Sequence, residues 1–180
     1  MKVVRTNLSG VLVIEPQVFT DDRGYFVETF NLQKFRNATG AMANFVQDNQ
    51  SYSKAKVLRG LHYQIEQAQG KLVRVVSGAV WDVAVDLRRS SPTFAQWTGV
   101  ELTGENQRML WVPPGCAHGF VVTGDHAVFQ YKVTDYWAPQ HERCIAWNDP
   151  GLNIKWPVDG PIVNDKDAAG LTLSKAPTYA

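Results

Sequence analysis

The chain has 180 residues, of which 44% are hydrophobic, 19% charged and 11% aromatic, and its net charge is +1. That length is enough to bury a substantial core without covalent staples, and the composition is that of an ordinary globular protein, read here as one domain over 1–180. Near-neutral charge with no block of like charges excludes a nucleic-acid or anionic-membrane partner held by bulk electrostatics, but not a small anion gripped by a few arginines.

The first residues, MKVVRTNLSG, carry no apolar core of a leader, and no window approaches the roughly 18 apolar residues that span a bilayer. Cys116 and Cys144, the only cysteines, have no CxxC spacing. Free thiols in a reducing cytoplasm are the expectation, with Cys116 a packing residue rather than a nucleophile.

Along the chain, short apolar runs alternate with turn signals, the all-β pattern. VLVIEPQVF (11–19) is one run, broken at Pro16; DDRG (21–24) is a turn, and YFVETF (25–30) resumes. LQKFRNATG (32–40) predicts a helix that stops at Gly40. VLRGLHYQ (57–64) predicts a strand carrying Arg59 and His62 among apolar residues. KLVRVVSGAVWDVAVDLR (71–88) predicts two strands around a Ser77-Gly78 turn, with Asp82, Ala84 and Asp86 on one face of the second. Two aspartates on one face suit a barrel with a wet interior better than a purely apolar core. PPGCAHGFVV brings His118, FQYKVTDYW brings Tyr131, and NDKDAAGL predicts a short helix capped by Asn164 with Asp167 in its first turn. With no repeat and no linker composition, the economical architecture is a small β-barrel with a ligand-sized mouth. Its core covers about 45–140, and a segment of about 147–180 packs against it.

Each histidine in such a strand, taken alone, reads as a satisfied core residue. His62 and His118 together with Arg59, Lys71, Asp82 and Tyr131 on neighbouring segments read differently, because polar groups inside a small barrel are costly unless bonded to one another or to a ligand. No metal is expected: His62 is followed at the second position by Gln64 instead of a second histidine, Glu66 lies in a turn-like stretch, and two imidazoles make a poor closed site. Proton abstraction beside a carbonyl fits instead. A neutral histidine accepts the proton, a lysine steadies the developing enolate oxygen, and a tyrosine on the opposite face returns a proton. Arg23 and Arg59 beside aromatics suit phosphate oxygens, and Phe26, Tyr136 and Trp137 offer flat faces for a base. The residues alone reach a barrel pocket for a small carbonyl compound, phosphorylated or not.

These stretches, in order and with FVQDNQSYS, DLRRSSPTF and WNDPGLNIKWP, closely resemble the cupin-fold dTDP-4-dehydrorhamnose 3,5-epimerases of deoxysugar biosynthesis over about residues 10–170. The resemblance implies an all-β, jelly-roll-like cupin with a few short peripheral helices, working as a cytoplasmic homodimer without cofactor or metal. It implies a dTDP-4-dehydro-6-deoxyglucose substrate, with His62 as base, Asp167 as its orienting partner, Lys71 as enolate stabiliser and Tyr131 as acid. His118 would line the sugar pocket, held by Asp82. Arg23, Phe26, Glu28, Gln47, Asn49, Arg59, Tyr136, Trp137 and Glu142 would surround the rest of the substrate, some of them reaching across the dimer. Cys116, where relatives commonly have phenylalanine, is expected to affect packing alone. The alternatives are a single-carbon epimerase or ketoisomerase, a sugar-nucleotide-binding cupin without catalysis, and a metal-dependent cupin. Tyr131 speaks against the ketoisomerase but leaves the single-carbon epimerase open; the full His62–Lys71–Tyr131 set speaks against the binding cupin and Gln64 against the metal-dependent one.

Overall fold

Two long strands organise the molecule in the computed structural model, which describes residues 1–180. Strand β7 runs Lys71–Asp86 and β10 runs Cys116–Val133, antiparallel to each other along their length. Both halves of each strand find different outer neighbours. The N-terminal half of β7 pairs with β9 (Met109–Val112), which leads through β2 (Leu12–Glu15) to β1 (Lys2–Arg5). Its C-terminal half pairs with β8 (Trp97–Thr103). On β10, residues 126–133 pair with β5 (Gln47–Lys54), and residues 118–121 pair with β6 (Leu58–Gln64), which β11 (Glu142–Cys144) extends. The nine-stranded sheet therefore folds over on itself as a jelly-roll-like cupin, all-β as its alternating runs imply.

The fold-over corrects one expectation. Ser77-Gly78 is not a reversal but a bulge within one continuous 16-residue strand. Gly78 sits at φ +82, and a Cβ there would strike the His126 carbonyl, so only glycine lets the two long strands close together. Beside it the β7–β10 register slips between Val128 and Phe129. One extra residue exchanges which parity faces inward. Before the bulge Val73 and Val75 join the interior core, and after it Val80 and Ala84 do. Lys71 and Asp82, of opposite parity, thereby share one interior. A Ser-Gly pair signals a turn locally, but long-range pairing with β10 decides the outcome.

Three apolar clusters support the barrel. The interior one includes Val73, Val80, Leu110, Phe120 and Phe129. A second joins Leu61, Tyr63, Val83 and Val85 to Ile145, Leu152 and Ala176 from the C-terminal segment. The third seats helix α1 (Leu32–Thr39) through Phe35 against Leu72, Met109 and Trp111. As expected, α1 stops at left-handed Gly40. The structure adds that Asn31 caps its start by accepting from the Lys34 amide. The irregular C-terminal segment is tied back by bridges Val57–Ile162, Ile145–Leu171 and Arg88–Tyr179. Asp86, expected in the wet interior with Asp82, instead accepts from Arg88, Ser91 and Thr93. Although burial pushes its carboxyl up, these bonds hold it down at about 2.

The glycines of VLRGLHYQ and AHGF serve the site directly. Gly60 and Gly119 lie backbone against backbone between β6 and β10, where a Cβ on Gly119 would come within 2.6 Å of the Arg59 carbonyl oxygen. This close passage allows His62 and His118 to stand as cross-strand partners. Gly119→Ala is expected to lower unfolding stability by about 2 kcal/mol or more, read from urea midpoints, because backbone cannot yield as a side-chain tip can.

Candidate active site

A cavity of about 220 Å³ opens at the polar end of the barrel, lined by His62, Lys71, Tyr131, Gln47, Asn49, Trp137 and Glu142, among others. A larger hollow of about 950 Å³ near Arg5–Leu12 has Arg5 as its only titratable lining side chain. It holds no acid–base pair, so the chemistry belongs to the smaller cavity.

Strand registers explain how residues so far apart in the chain meet. Tyr131 stands opposite Val73 on one side and Asn49 on the other, while Val133 stands between Lys71 and Gln47. Cross-strand partners share a face, so Lys71, Tyr131, Asn49 and Gln47 all point into the cup. From the facing half, β6 contributes His62 beside His118 of β10.

His62 is held by a carboxylate. Its Nε2 lies 2.6 Å from Oδ1 of Asp167, whose side chain is 1% exposed, while the imidazole is 26% exposed to the cavity. Asp167 sits in helix α2 (Asp165–Ala168), where Asn164 caps as expected by accepting from the Asp167 amide at 2.7 Å. Its other oxygen accepts from the Gly60 amide at 3.1 Å. Burial pushes the Asp167 carboxyl up, but the His62 hydrogen bond and charge outweigh it, and the group lies below the usual carboxylate range. It is therefore ionised at neutral pH and fixes the ring with one nitrogen donating to it, leaving the other with a free lone pair.

Lys71 is brought close to His62, its Nζ 3.4 Å from the His62 carbonyl oxygen. Burial lowers its ammonium to about 8, against the pull of Glu142 and Asp82. Burial likewise raises the Tyr131 phenol, helped by Glu142 and opposed by Arg59, so it carries its proton at neutral pH. His118, 7% exposed, lies deeper, with Nε2 at 2.9 and 3.1 Å from the Asp82 carboxylate. Burial raises the Asp82 carboxyl above its ordinary value, and His118 and then Lys71 offset this only in part.

At the mouth, Gln47 donates to Asn49 at 2.8 Å and accepts from the Trp137 amide at 3.2 Å. Arg59 is turned to Ser53 and the Tyr52 carbonyl. Tyr136 and Trp137 are 61% and 60% exposed, and Trp137 lines the cavity. Of the expected residues, Asp167, Arg59, His118 and Tyr136 are not in its lining, and three more belong to another part of the fold. Arg23 and Phe26 belong to a separate hairpin, β3 (Val18–Asp21) with β4 (Gly24–Val27), and are strongly exposed there. Glu28 follows the hairpin and pairs with Lys34 at 2.9 Å. Within one chain these three and the cavity do not meet.

Two contributors and one bystander of the site escape the sequence. Gln64, notable there only for not being histidine, is 3% exposed and ties down the aromatic loop. Its amide donates to the Gln67 and Tyr136 carbonyls and accepts from the Ala138 amide. Lys166 closes on Glu142 at 2.7 Å, and its place beside Asp167 in NDKDAAGL is the one clue to it. Cys144 stands directly opposite His62 across β11 and β6, a juxtaposition that no local pattern announces. Cys116, by contrast, is 3% exposed in the interior core, as expected of a packing residue.

Known proteins carry the same architecture. The family model of dTDP-4-dehydrorhamnose 3,5-epimerases matches residues 5–175. The dTDP-4-dehydrorhamnose 3,5-epimerase of Pseudomonas aeruginosa is 56% identical over 180 residues, covering 99% of each chain. That of Shigella flexneri is 54% identical over 171 residues, covering 94% of each. Among solved structures, the dTDP-6-deoxy-D-glucose-3,5-epimerase of Legionella pneumophila, in complex with dTDP-4-keto-L-rhamnose, superposes with a TM-score of 0.94 at 47% identity. The match covers 97% of this chain and 93% of that one.

Proposed function

We propose that in this chain, which belongs to the dTDP-4-dehydrorhamnose 3,5-epimerase family, His62 and Tyr131 carry the two halves of the proton exchange. The activity is that of an isomerase, converting dTDP-4-dehydro-6-deoxy-D-glucose to dTDP-4-dehydro-L-rhamnose by inversion at carbons 3 and 5. The observation that supports the assignment is the buried Asp167 carboxylate 2.6 Å from a half-open His62 ring, in a cavity that Lys71 and Tyr131 also line.

Both inverted carbons flank the 4-keto group, so removing either proton yields an enolate on the same oxygen. His62 takes the proton on its free nitrogen, and Asp167 stabilises the imidazolium that results. Lys71, still cationic at neutral pH, meets the enolate oxygen inside a poorly solvated cup where its charge counts most. Tyr131 delivers a proton to the opposite face of the carbon and is restored from solvent. His118 backs the site from deeper in the barrel, its ring set by Asp82. Gln47, Asn49, Arg59, Glu142 and the Tyr136-Trp137 pair hold the nucleotide and diphosphate at the mouth.

Reaction in heavy water tests this reading: deuterium is expected at carbons 3 and 5 of the product sugar. Label at one carbon would indicate a single-site epimerase, and no label would remove catalysis. With Tyr131→Phe, substrate protons are expected to wash out while inverted product forms at roughly a hundredth of the normal rate or less. Inversion at the normal rate would place the acid elsewhere.

The hairpin residues Arg23 and Phe26, with Glu28, complete the site of a second copy, which makes the working unit a homodimer. Their exposure away from their own cavity supports this. Arg23→Ala is expected to raise KM roughly tenfold or more through a lost charge-assisted contact. Mixed dimers of Arg23→Ala with His62→Ala chains should recover normal KM in one site per dimer. An active monomer, or no recovery on mixing, would refute the shared site.

A further inference from the structure

Cys144 is a titratable group in the catalytic corner that the proton chemistry leaves idle. Strand β11 sets it directly opposite His62, and cross-strand partners present side chains on one face about 5 Å apart. Helix α2 brings Asp167 to the same point. The Cys144 sulfur, a His62 ring nitrogen and an Asp167 carboxylate oxygen all lie within 4.8 Å of one another. Around a tetrahedral zinc ion, with bonds of about 2.0–2.3 Å, neighbouring donors stand about 3.3–3.8 Å apart. Shifts of about an ångström would close the three side chains on one ion, and a solvent molecule would complete the tetrahedron.

We propose that Cys144, His62 and Asp167 form a binding site for a borderline-soft divalent cation of the zinc type, which silences the enzyme when filled. The donor set of one sulfur, one imidazole and one carboxylate favours such ions over magnesium or calcium, which take oxygen. A coordinated cation deprotonates a thiol outright. The step balances: the thiol proton goes to solvent, His62 stays neutral with its remaining N–H away from the ion, and thiolate plus carboxylate cancel the two positive charges. Lys166, the nearest competing cation on α2, is already neutralised by Glu142 at 2.7 Å. Silencing follows because the ion occupies the imidazole needed for proton abstraction, and to that extent it rests on His62 being the base.

Cobalt(II) titration of the chelator-treated enzyme tests the site without activity. A thiolate-to-cobalt charge-transfer band of one ion per chain is expected, lost in Cys144→Ala and in His62→Ala. Zinc should inhibit the wild type reversibly by chelator, and the concentration for half inhibition should rise at least tenfold in Cys144→Ala, whose zinc-free activity stays normal. If alanine fails to fold, Cys144→Ser gives the same comparison. No band in the wild type, a band that survives Cys144→Ala, or equal zinc sensitivity of the two proteins would overturn the proposal. A wild-type band without zinc inhibition would likewise overturn the silencing and would count against His62 as the base.

Discussion

His62→Asn is expected to reduce turnover roughly a thousandfold and to stop deuterium exchange at both carbons, while dTDP affinity stays within about twofold. Asparagine is the informative replacement because of Asp167. That carboxylate is 1% exposed and faces His62 at 2.6 Å, so removing every donor would leave a buried charge poorly paired and blur a catalytic loss with a structural one. An asparagine amide still donates to it but accepts no proton at neutral pH. Exchange measured on the substrate, isothermal titration with dTDP, and the urea midpoint separate chemistry, binding and folding. Exchange at the wild-type rate with an unchanged fold would take the base role from His62. Asp167→Asn should lose less, about a hundredfold, since the ring survives without its orienting charge.

Lys71→Met should cost roughly a hundred- to a thousandfold in kcat/KM, the range for losing one group aimed at a developing oxyanion. The wild type offers a second, independent readout. Burial lowers Lys71 to about 8, so the ammonium is present below that pH and lost above it. The sign follows: kcat/KM of the free enzyme falls as pH rises through about 8. The profile of Lys71→Met should lack that limb and stay flat from pH 7 to 9 at its lower level. A limb near 8 that persists in Lys71→Met would belong to another group, and Lys71 would then be only a buried cation balanced by Glu142 and Asp82. Methionine fills the space of the lysine stem, so this variant also relieves the desolvation of the charge and is expected to fold at least as stably.

Much of the site was legible before any fold was known, for local reasons. VLRGLHYQ and AHGF each carry a polar ring within an apolar strand, and the cost of burying such a ring without a partner marks both. NDKDAAGL shows its cap and first-turn acid in four residues, and the structure has both in place. Gly40 ends α1 by a rule that acts within one turn. Where the reading failed, it failed at distance. Ser77-Gly78 has the chemistry of a hairpin turn, yet β10 pairs along both sides of it, and the extra residue becomes a bulge. Asp82 and Asp86 alternate identically in the sequence, yet one meets His118 and the other Arg88.

By itself, then, the sequence determined the all-β class, the end of α1, the capped start of α2 and the candidates for the reactive side chains, because propensity, capping and burial cost act over a few residues. Only the tertiary structure decided which parity faces the cup, that Lys71 and Asp82 share it, and that Cys144 stands beside His62. It also decided that Arg23, Phe26 and Glu28 lie apart from their own cavity. Each of these depends on the register between strands far apart in the chain, and register is set by the closing of the whole sheet.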